Sequence, residues 1–128
     1  MDHKRIRLTT IEQDKNGGTI GYIEISVVSR ASPTQYEQRY VWSGHAPVFI
    51  DGIFVRRLVV DKACRGKGHG KTLFRRALNR ASEMGKHLYC DTKSDNAAMR
   101  ELARSLGGKE NMFWHTPSGT LMVRYIWQ

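Results

Sequence analysis

The 128-residue sequence is poor in cysteine, proline and long apolar runs, and each shortage excludes a class of protein. Its two cysteines, Cys64 and Cys90, form no disulfide framework, so we expect free thiols in a reducing cytoplasm. No stretch approaches the roughly 20 apolar residues of a membrane-spanning helix, and the basic start lacks the apolar core of a signal peptide. The sequence therefore predicts one cytoplasmic domain, residues 1–128, that does not engage a membrane.

A metal site is also not expected, although potential ligands are present. Cys64, His69, His87 and Cys90 are suitable residue types, but Cys-x4-His followed by His-x2-Cys matches no common zinc pattern. Cys64 stands beside Arg65, yet no general base has an evident place next to it. Thiol catalysis is therefore not predicted either.

Acidic residues are scarce relative to basic ones. Lysine and arginine number 21 and aspartate and glutamate 12, giving a net charge of +9 that attracts polyanions and acidic surfaces without choosing among them. Arg75, Arg76 and Arg80 share a predicted amphipathic helix, and a solvated helix face explains them better than a nucleic-acid footprint. Contact with a nucleic acid or an acidic protein stays open.

Hydrophobic periodicity outlines the organisation of the chain. Two runs alternate around an Asp14–Gly18 turn, and the Asp51-Gly52 pair is a second hairpin signal. Between them the sequence is rich in turn residues, with a short strand or helix at Tyr36–Trp42. The predicted strands are Arg5–Ile11, Thr19–Val28, Val48–Ile50, Ile53–Val60, His87–Asp91, Asn111–His115 and Thr120–Trp127. Helices are predicted over Lys71–Met84 and from Asn96 to Gly107-Gly108.

The most informative segment is the glycine-dense turn between strand Ile53–Val60 and the first helix. Gly66, Gly68 and Gly70 permit backbone angles closed to other residues, so that consecutive N–H groups point at one anion. The helix that follows adds the positive end of its dipole, and neighbouring cations add charge; these are Arg65, Lys67 and Lys71. The segment predicts a phosphate-binding loop.

The glycine spacing decides which phosphate loop this is. The dinucleotide fingerprint requires G-x-G-x-x-G, whereas this chain has G-x-G-x-G. Gly70-Lys71-Thr72 copies the end of a nucleotide-hydrolase loop, but Arg65 stands where that motif needs its first glycine. The pattern that fits is R-x-x-G-x-G.

Arg65-x-x-Gly68-x-Gly70 after a strand, followed by helix, strand and an Asn96-led helix, resembles motifs A and B of the GNAT superfamily of acyl-CoA N-acyltransferases. The resemblance covers roughly residues 53–108 well and the final hairpin loosely, and the residues before about Ala46 resemble nothing specific. It implies an α+β fold whose mixed, mostly antiparallel sheet carries two main helices and a C-terminal β-hairpin. The implied reaction is direct attack of a primary amine on the thioester of acetyl-CoA.

The resemblance also implies a coenzyme site. The loop would hold the pyrophosphate, and a backbone N–H of the preceding strand would stabilise the thioester carbonyl. Asn96 has two interpretations, as a helix cap or as a contact to the pantetheine arm, and the motif favours the contact. The implied coenzyme-binding residues are Leu58, Val59, Val60, Arg65, Gly66, Lys67, Gly68, His69, Gly70, Lys71 and Asn96.

The acid and base of the reaction are less well defined by the sequence. The family's usual tyrosine, seven positions after the asparagine, is replaced here by Ala103. Asp51 and Glu24 are the candidates for activating the amine. Making the turn with Gly52 explains Asp51 better than catalysis does, and Glu24 either faces solvent or lines the acceptor groove.

The family's two helices between the first and second strands are missing, because only the Asp14–Gly18 turn stands there. This predicts an open acceptor groove, or one walled by the partner subunit of a homodimer. An open groove favours a macromolecular amine: a lysine side chain, a protein N-terminus or an aminoacyl-tRNA. The alternatives are a small-molecule amine acceptor, or a module that binds acyl-CoA or an acidic partner without turnover.

Overall fold

The computed structural model describes residues 4–29 and 52–128. These residues form a six-stranded sheet with two α-helices and a short 3-10 helix at Lys62–Cys64. The strands are β1 (Lys4–Gln13), β2 (Thr19–Ser29), β3 (Gly52–Val60), β4 (Leu88–Lys93), β5 (Lys109–His115) and β6 (Leu121–Trp127), and the helices are α1 (His69–Met84) and α2 (Ala97–Ser105).

The sheet has the order β1-β2-β3-β4-β6-β5. Only β3 and β4 run parallel, because α1 provides the crossover between them, and every other neighbouring pair is antiparallel. β5 and β6 form the C-terminal hairpin. The expected mixed, mostly antiparallel sheet with two helices is confirmed.

Both helices lie on the same face of the sheet. α1 buries an apolar stripe against β2, β3 and β4; its buried residues are Leu73, Phe74, Ala77 and Ala81. α2 packs Ala103 against Val123 and Tyr125 of β6. Trp127 joins the two helices, since its ring lies 5.0 Å from that of Phe74 and its Nε1 donates to the Leu106 carbonyl at 3.1 Å. The opposite side, which we call the helix-free face, carries no helix in the described residues.

The predicted elements match the structure with small shifts at their ends. α1 begins at His69 rather than Lys71, because Gly68 caps it in a left-handed conformation with φ of 83°. Its arginines, Arg75, Arg76 and Arg80, are exposed as predicted. The predictions for Val48–Ile50, Asp51 and Tyr36–Trp42 lie outside the described residues. No described helix is long and apolar enough to cross a membrane.

Candidate functional site

The candidate site begins where β3 and β4 separate. The two strands pair only through Ile53–Leu88, Phe54–Tyr89 and Val55–Cys90. Beyond this point β3 continues beside β2 to Val60, and β4 continues beside β6 to Lys93. Arg56 is an extra residue in β3, because Ile25 opposes Val55 while Glu24 opposes Arg57, and such a bulge bends the strand. The result is a V-shaped opening, which we call the fork.

Backbone polar groups of β3 point into the fork. In a strand the N–H and C=O of one residue face the same side, and alternate residues face opposite sides. The Asp61 N–H donates to Ile20 on β2, whereas the Val60 carbonyl accepts from Arg65 Nε at 3.2 Å. The backbone groups of Leu58 and Val60 therefore face away from β2, where an extended ligand in the fork can meet them.

The glycine loop closes one end of the fork. Gly66 and Gly68 have φ of 81° and 83°, which other residues rarely adopt. Gly70 does not adopt such an angle, because it lies inside α1. Its missing side chain leaves room beside the helix and is not needed for the backbone conformation. The first hydrogen bond within the helix runs from Thr72 N–H to the Gly68 carbonyl, so the preceding N–H groups at the start of α1 have no acceptor inside the helix.

Side chains fix this loop to the sheet. The bond from Arg65 to Val60 holds the guanidinium over the end of β3. His69 Nδ1 lies 2.6 Å from Glu12 Oε1 on β1, and Glu12 Oε2 is buried without a hydrogen-bond partner among the described residues. The β1–β2 hairpin therefore contacts the first residue of α1 through a largely buried polar pair.

A cavity of about 540 Å³ lies beside the loop and brings most of the predicted coenzyme residues together. Those lining it are Leu58, Val59, Val60, Arg65, Gly66, Gly68, His69, Gly70 and Asn96, whereas Lys67 and Lys71 are not part of its wall. Sequence reasoning missed the rest of the lining: Cys64, Ala98, Met99 and Leu102. Met99 and Leu102 could have been found from the apolar face of α2, because such a face packs against another part of the protein or a ligand.

Asn96, directly before α2, and Ala103 within it bear on two points that the sequence left open. Asn96 caps the helix, because its Oδ1 accepts from the Met99 N–H at 3.1 Å, and it also lines the cavity. The cap uses the amide oxygen, so a contact to a ligand falls to the amide nitrogen. Ala103 is fully buried against Val123 and Tyr125. A proton donor does not fit at that position.

On the helix-free face, a groove of about 320 Å³ starts at the fork. Its lining is Ser26, Val28, Phe54, Val55, Arg56, Asp91, Trp114, Met122 and Arg124. Phe54 stacks on Tyr89 with ring centroids 5.1 Å apart, which gives the groove a rigid aromatic floor. The Ser26 hydroxyl is buried and has no hydrogen-bond partner among the described residues.

Asp91 is the acidic residue in this groove, and the sequence did not single it out. It directly follows the last paired residue of β4, so it stands at the start of the fork. Arg124 Nε and Nη2 donate to its two carboxylate oxygens at 2.7 and 2.8 Å, and the arginine is only 1% exposed. Such a bidentate pair fixes the carboxylate in one orientation.

Of the two predicted base candidates, only Glu24 is among the described residues. Glu24 is on the helix-free face opposite Arg57 and is not part of the groove lining. The pKa of Arg57 is raised, first by its hydrogen bond and electrostatic interaction with Tyr22 and then by the Glu24 carboxylate. Asp51 lies outside the described residues. The groove lining therefore does not include Glu24, and the role of Asp51 stays a prediction.

The two cysteines differ in their surroundings. Cys64 is half-buried at the cavity, whereas Cys90 is buried where β3 and β4 are still paired. Both are free thiols. Burial, with a smaller effect from Asp91, raises the pKa of the Cys90 thiol to about 12. Within the described ranges, no three potential metal ligands cluster.

The family model described as "Acetyltransferase (GNAT) family" matches residues 3–107, so the match reaches well before the region where the sequence motifs stand. N-alpha-acetyltransferase RimI of Mycobacterium tuberculosis is 33% identical over 94 residues, which cover 73% of this chain. The chain spans about half of that relative's length, 48%.

Two solved structures have a similar fold. A proposed streptothricin acetyltransferase of Bacillus anthracis, in complex with acetyl coenzyme A, superposes with a TM-score of 0.69 at 16% identity, covering 95% of this chain and 62% of the other. The ribosomal-protein-S18-alanine N-acetyltransferase of Escherichia coli gives 0.64 at 16% identity, covering 94% and 67%.

Proposed function

Because the chain belongs to the GNAT acetyltransferase family, we propose that it transfers an acetyl group from acetyl-CoA to a primary amine on a macromolecule. The observation that carries the proposal is the fork, with the glycine loop and its cavity on one side and a groove on the other. A thioester in the fork would be reachable by an amine from the groove. The acetyl-CoA complex of the Bacillus anthracis neighbour supports the choice of donor.

The parts of the site divide the work of the reaction. The N–H groups at the start of α1, with Arg65 beside them, would bind the pyrophosphate. The Leu58 or Val60 N–H would stabilise the carbonyl oxygen as it gains negative charge. The amine would attack the thioester carbon, lose its proton towards Asp91 or solvent, and expel the coenzyme thiolate. No metal is needed for these steps.

Among macromolecular amines, the groove favours a polypeptide N-terminus. Both carboxylate oxygens of Asp91 already accept hydrogen bonds from Arg124, so an amine that arrives largely neutral has an advantage in this groove. An α-amino group has a pKa of about 7.7–8.0 and a lysine side chain about 10.4, so more of the former is neutral at pH 7. The Mycobacterium tuberculosis relative is an N-alpha-acetyltransferase, which supports this choice.

One observation favours a second candidate, a module that binds acyl-CoA without turnover. Ala103 is buried where the family resemblance places a proton-donating tyrosine. Transfer remains feasible without it, because a coenzyme thiolate is a moderate leaving group that solvent can protonate. Contact of the basic surface with a nucleic acid and formation of a homodimer remain predictions.

Calorimetric titration with acetyl-CoA and with coenzyme A tests the cofactor, and mass spectrometry of peptides with free N-termini tests the transfer. We expect micromolar binding and a mass gain of one acetyl group on the peptide. Binding without transfer to any amine would establish the second candidate. Absence of binding would contradict both.

A further inference from the structure

The groove on the helix-free face carries more positive charge than its acidic residues compensate. Arg124 is neutralised by Asp91, and Arg57 stands opposite Glu24. Arg56, the bulge residue that lines the groove, is exposed, and no described residue forms a hydrogen bond or ion pair with it. The uncompensated positive charge therefore begins at Arg56, next to the fork.

Two further cations extend this charge across the face. Lys93 lies two residues beyond Asp91, hence on the same side of β4, and it opposes the groove residue Met122. Arg7 opposes the groove residue Ser26 from β1. Both side chains are exposed. The groove is thus an apolar and aromatic floor with a basic rim: Arg7, Arg56 and Lys93.

This charge has two effects on an approaching amine. Uncompensated cations disfavour the ammonium form and so favour the neutral, nucleophilic amine. They also weaken binding of a positively charged acceptor unless the acceptor itself brings negative charge. The buried Ser26 hydroxyl without a partner offers a hydrogen bond to such a ligand. An acidic acceptor satisfies the rim, whereas a basic one is repelled.

A peptide fits these features better than a nucleic acid. The groove volume of about 320 Å³ suits a few residues of extended chain. The basic rim offers three separate cations, whereas a protein that binds a nucleic acid typically neutralises about six to ten phosphates. An extended peptide rises about 3.3–3.6 Å per residue, so its second to fourth side chains pass the rim.

We infer that the acceptor is a polypeptide N-terminus with aspartate or glutamate among residues two to four, recognised by the basic rim and above all by Arg56. The inference rests on the proposed function and narrows its substrate class. It also accounts for part of the net charge of +9, which a coenzyme site alone does not explain.

The test uses three peptides of equal length with free N-termini, identical except that positions two to four are acidic, neutral or basic. We expect kcat/KM to be at least about tenfold higher for the acidic peptide than for the neutral one, with the basic peptide slowest. Raising the salt concentration should narrow the differences.

Arg56→Glu should reverse the order of the acidic and basic peptides, because it replaces the nearest cation by an anion. Arg75→Glu is the matched control: it makes the same charge change on the exposed surface of α1, on the other side of the sheet, and should keep the order. Thermal unfolding checks that both variants fold.

Equal rates for the three peptides, or an acidic preference that survives Arg56→Glu, would overturn the inference and leave the proposed function intact. Faster acetylation of an aminoacylated RNA minihelix than of any peptide would also overturn it. If no peptide is acetylated, the proposed function fails. Anisotropy with C-terminally labelled peptides then decides the inference separately: tighter binding of the acidic peptide, lost in Arg56→Glu, supports it, and equal binding overturns it.

Discussion

Strands β3 and β4 have a closed half, in which they are paired, and an open half, the fork, in which they diverge. The two halves differ in burial. In the closed half, Ile53–Val55 pairs with Leu88–Cys90, and Ile53, Leu88 and Cys90 are at most 3% exposed. In the open half, Arg56–Val60 and Asp91–Lys93 diverge, and several of their side chains are exposed. The bulge at Arg56 marks the change. One inserted residue thus separates a structural core from the surface of the candidate site.

The largest expected difference is in the reactivity of the two thiols, Cys90 in the closed half and Cys64 beside the open half. At pH 8 a thiol with a pKa of about 12 is ionised in about one molecule in ten thousand, so Cys90 of the closed half should resist a disulfide reagent until the protein unfolds. Cys64, at the cavity, should react first and be protected by acetyl-CoA. Counting of modified thiols checks this, with Cys64→Ser as the control. Fast modification of that variant would contradict the assigned burial.

The raised pKa of Cys90 also makes the stability of the protein depend on pH. The ordinary pKa of the thiol is 9.0 and the folded value is about 12, so the unfolded chain releases this proton first. The contribution of Cys90 to stability is therefore complete below pH 9 and is lost as the pH rises towards 12. Cys90→Ala should flatten that part of the pH dependence.

The open half should lose its proposed coenzyme when its space is filled. A Cβ on Gly70 would lie 3.9 Å from both Leu58 Cδ2 and Val60 Cγ2, which line the same cavity. Gly70→Val should lower acetyl-CoA affinity about 100-fold, or about 2.7 kcal/mol, with little loss of stability. Calorimetry measures this, and Ser82→Val on the exposed surface of the same helix is the control. Unchanged affinity would place the coenzyme elsewhere.

Asp91 stands between the halves and should affect both stability and transfer. Asp91→Asn removes the charge that faces the buried Arg124, and we expect a loss of about 2 kcal/mol in the free energy of unfolding. An Asp91→Leu, Arg124→Met double variant should regain most stability, because an apolar pair needs no compensation. Denaturant unfolding and peptide acetylation check the two effects. Full activity in the stable double variant would show that Asp91 has no role in transfer.

The smallest effect is expected at the contact between β1 and the glycine loop. Glu12→Gln and His69→Leu should each weaken the loop, and their effects on the free energy of unfolding should be coupled by about 1 kcal/mol. The double-mutant cycle measures the coupling. Simple additivity would mean that the pair does not support the loop.

The sequence predicted the local parts of this site because their causes are local. Glycine spacing produced the left-handed conformations at Gly66 and Gly68, and the apolar stripe of α1 identified its buried face. The contacts that connect distant segments were not predicted. Asp91 and Arg124 are 33 positions apart and Glu12 and His69 are 57, and nothing in either neighbourhood specifies the partner.

By itself the sequence determined the order of the described strands and helices, the glycine pattern of the loop and the family. These depend on backbone angles and on periodicity within a few residues. The tertiary structure decided where β3 and β4 stop pairing and which charges meet on the helix-free face. Both depend on the register between strands, since shifting one strand by a single residue moves every side chain to the other face of the sheet.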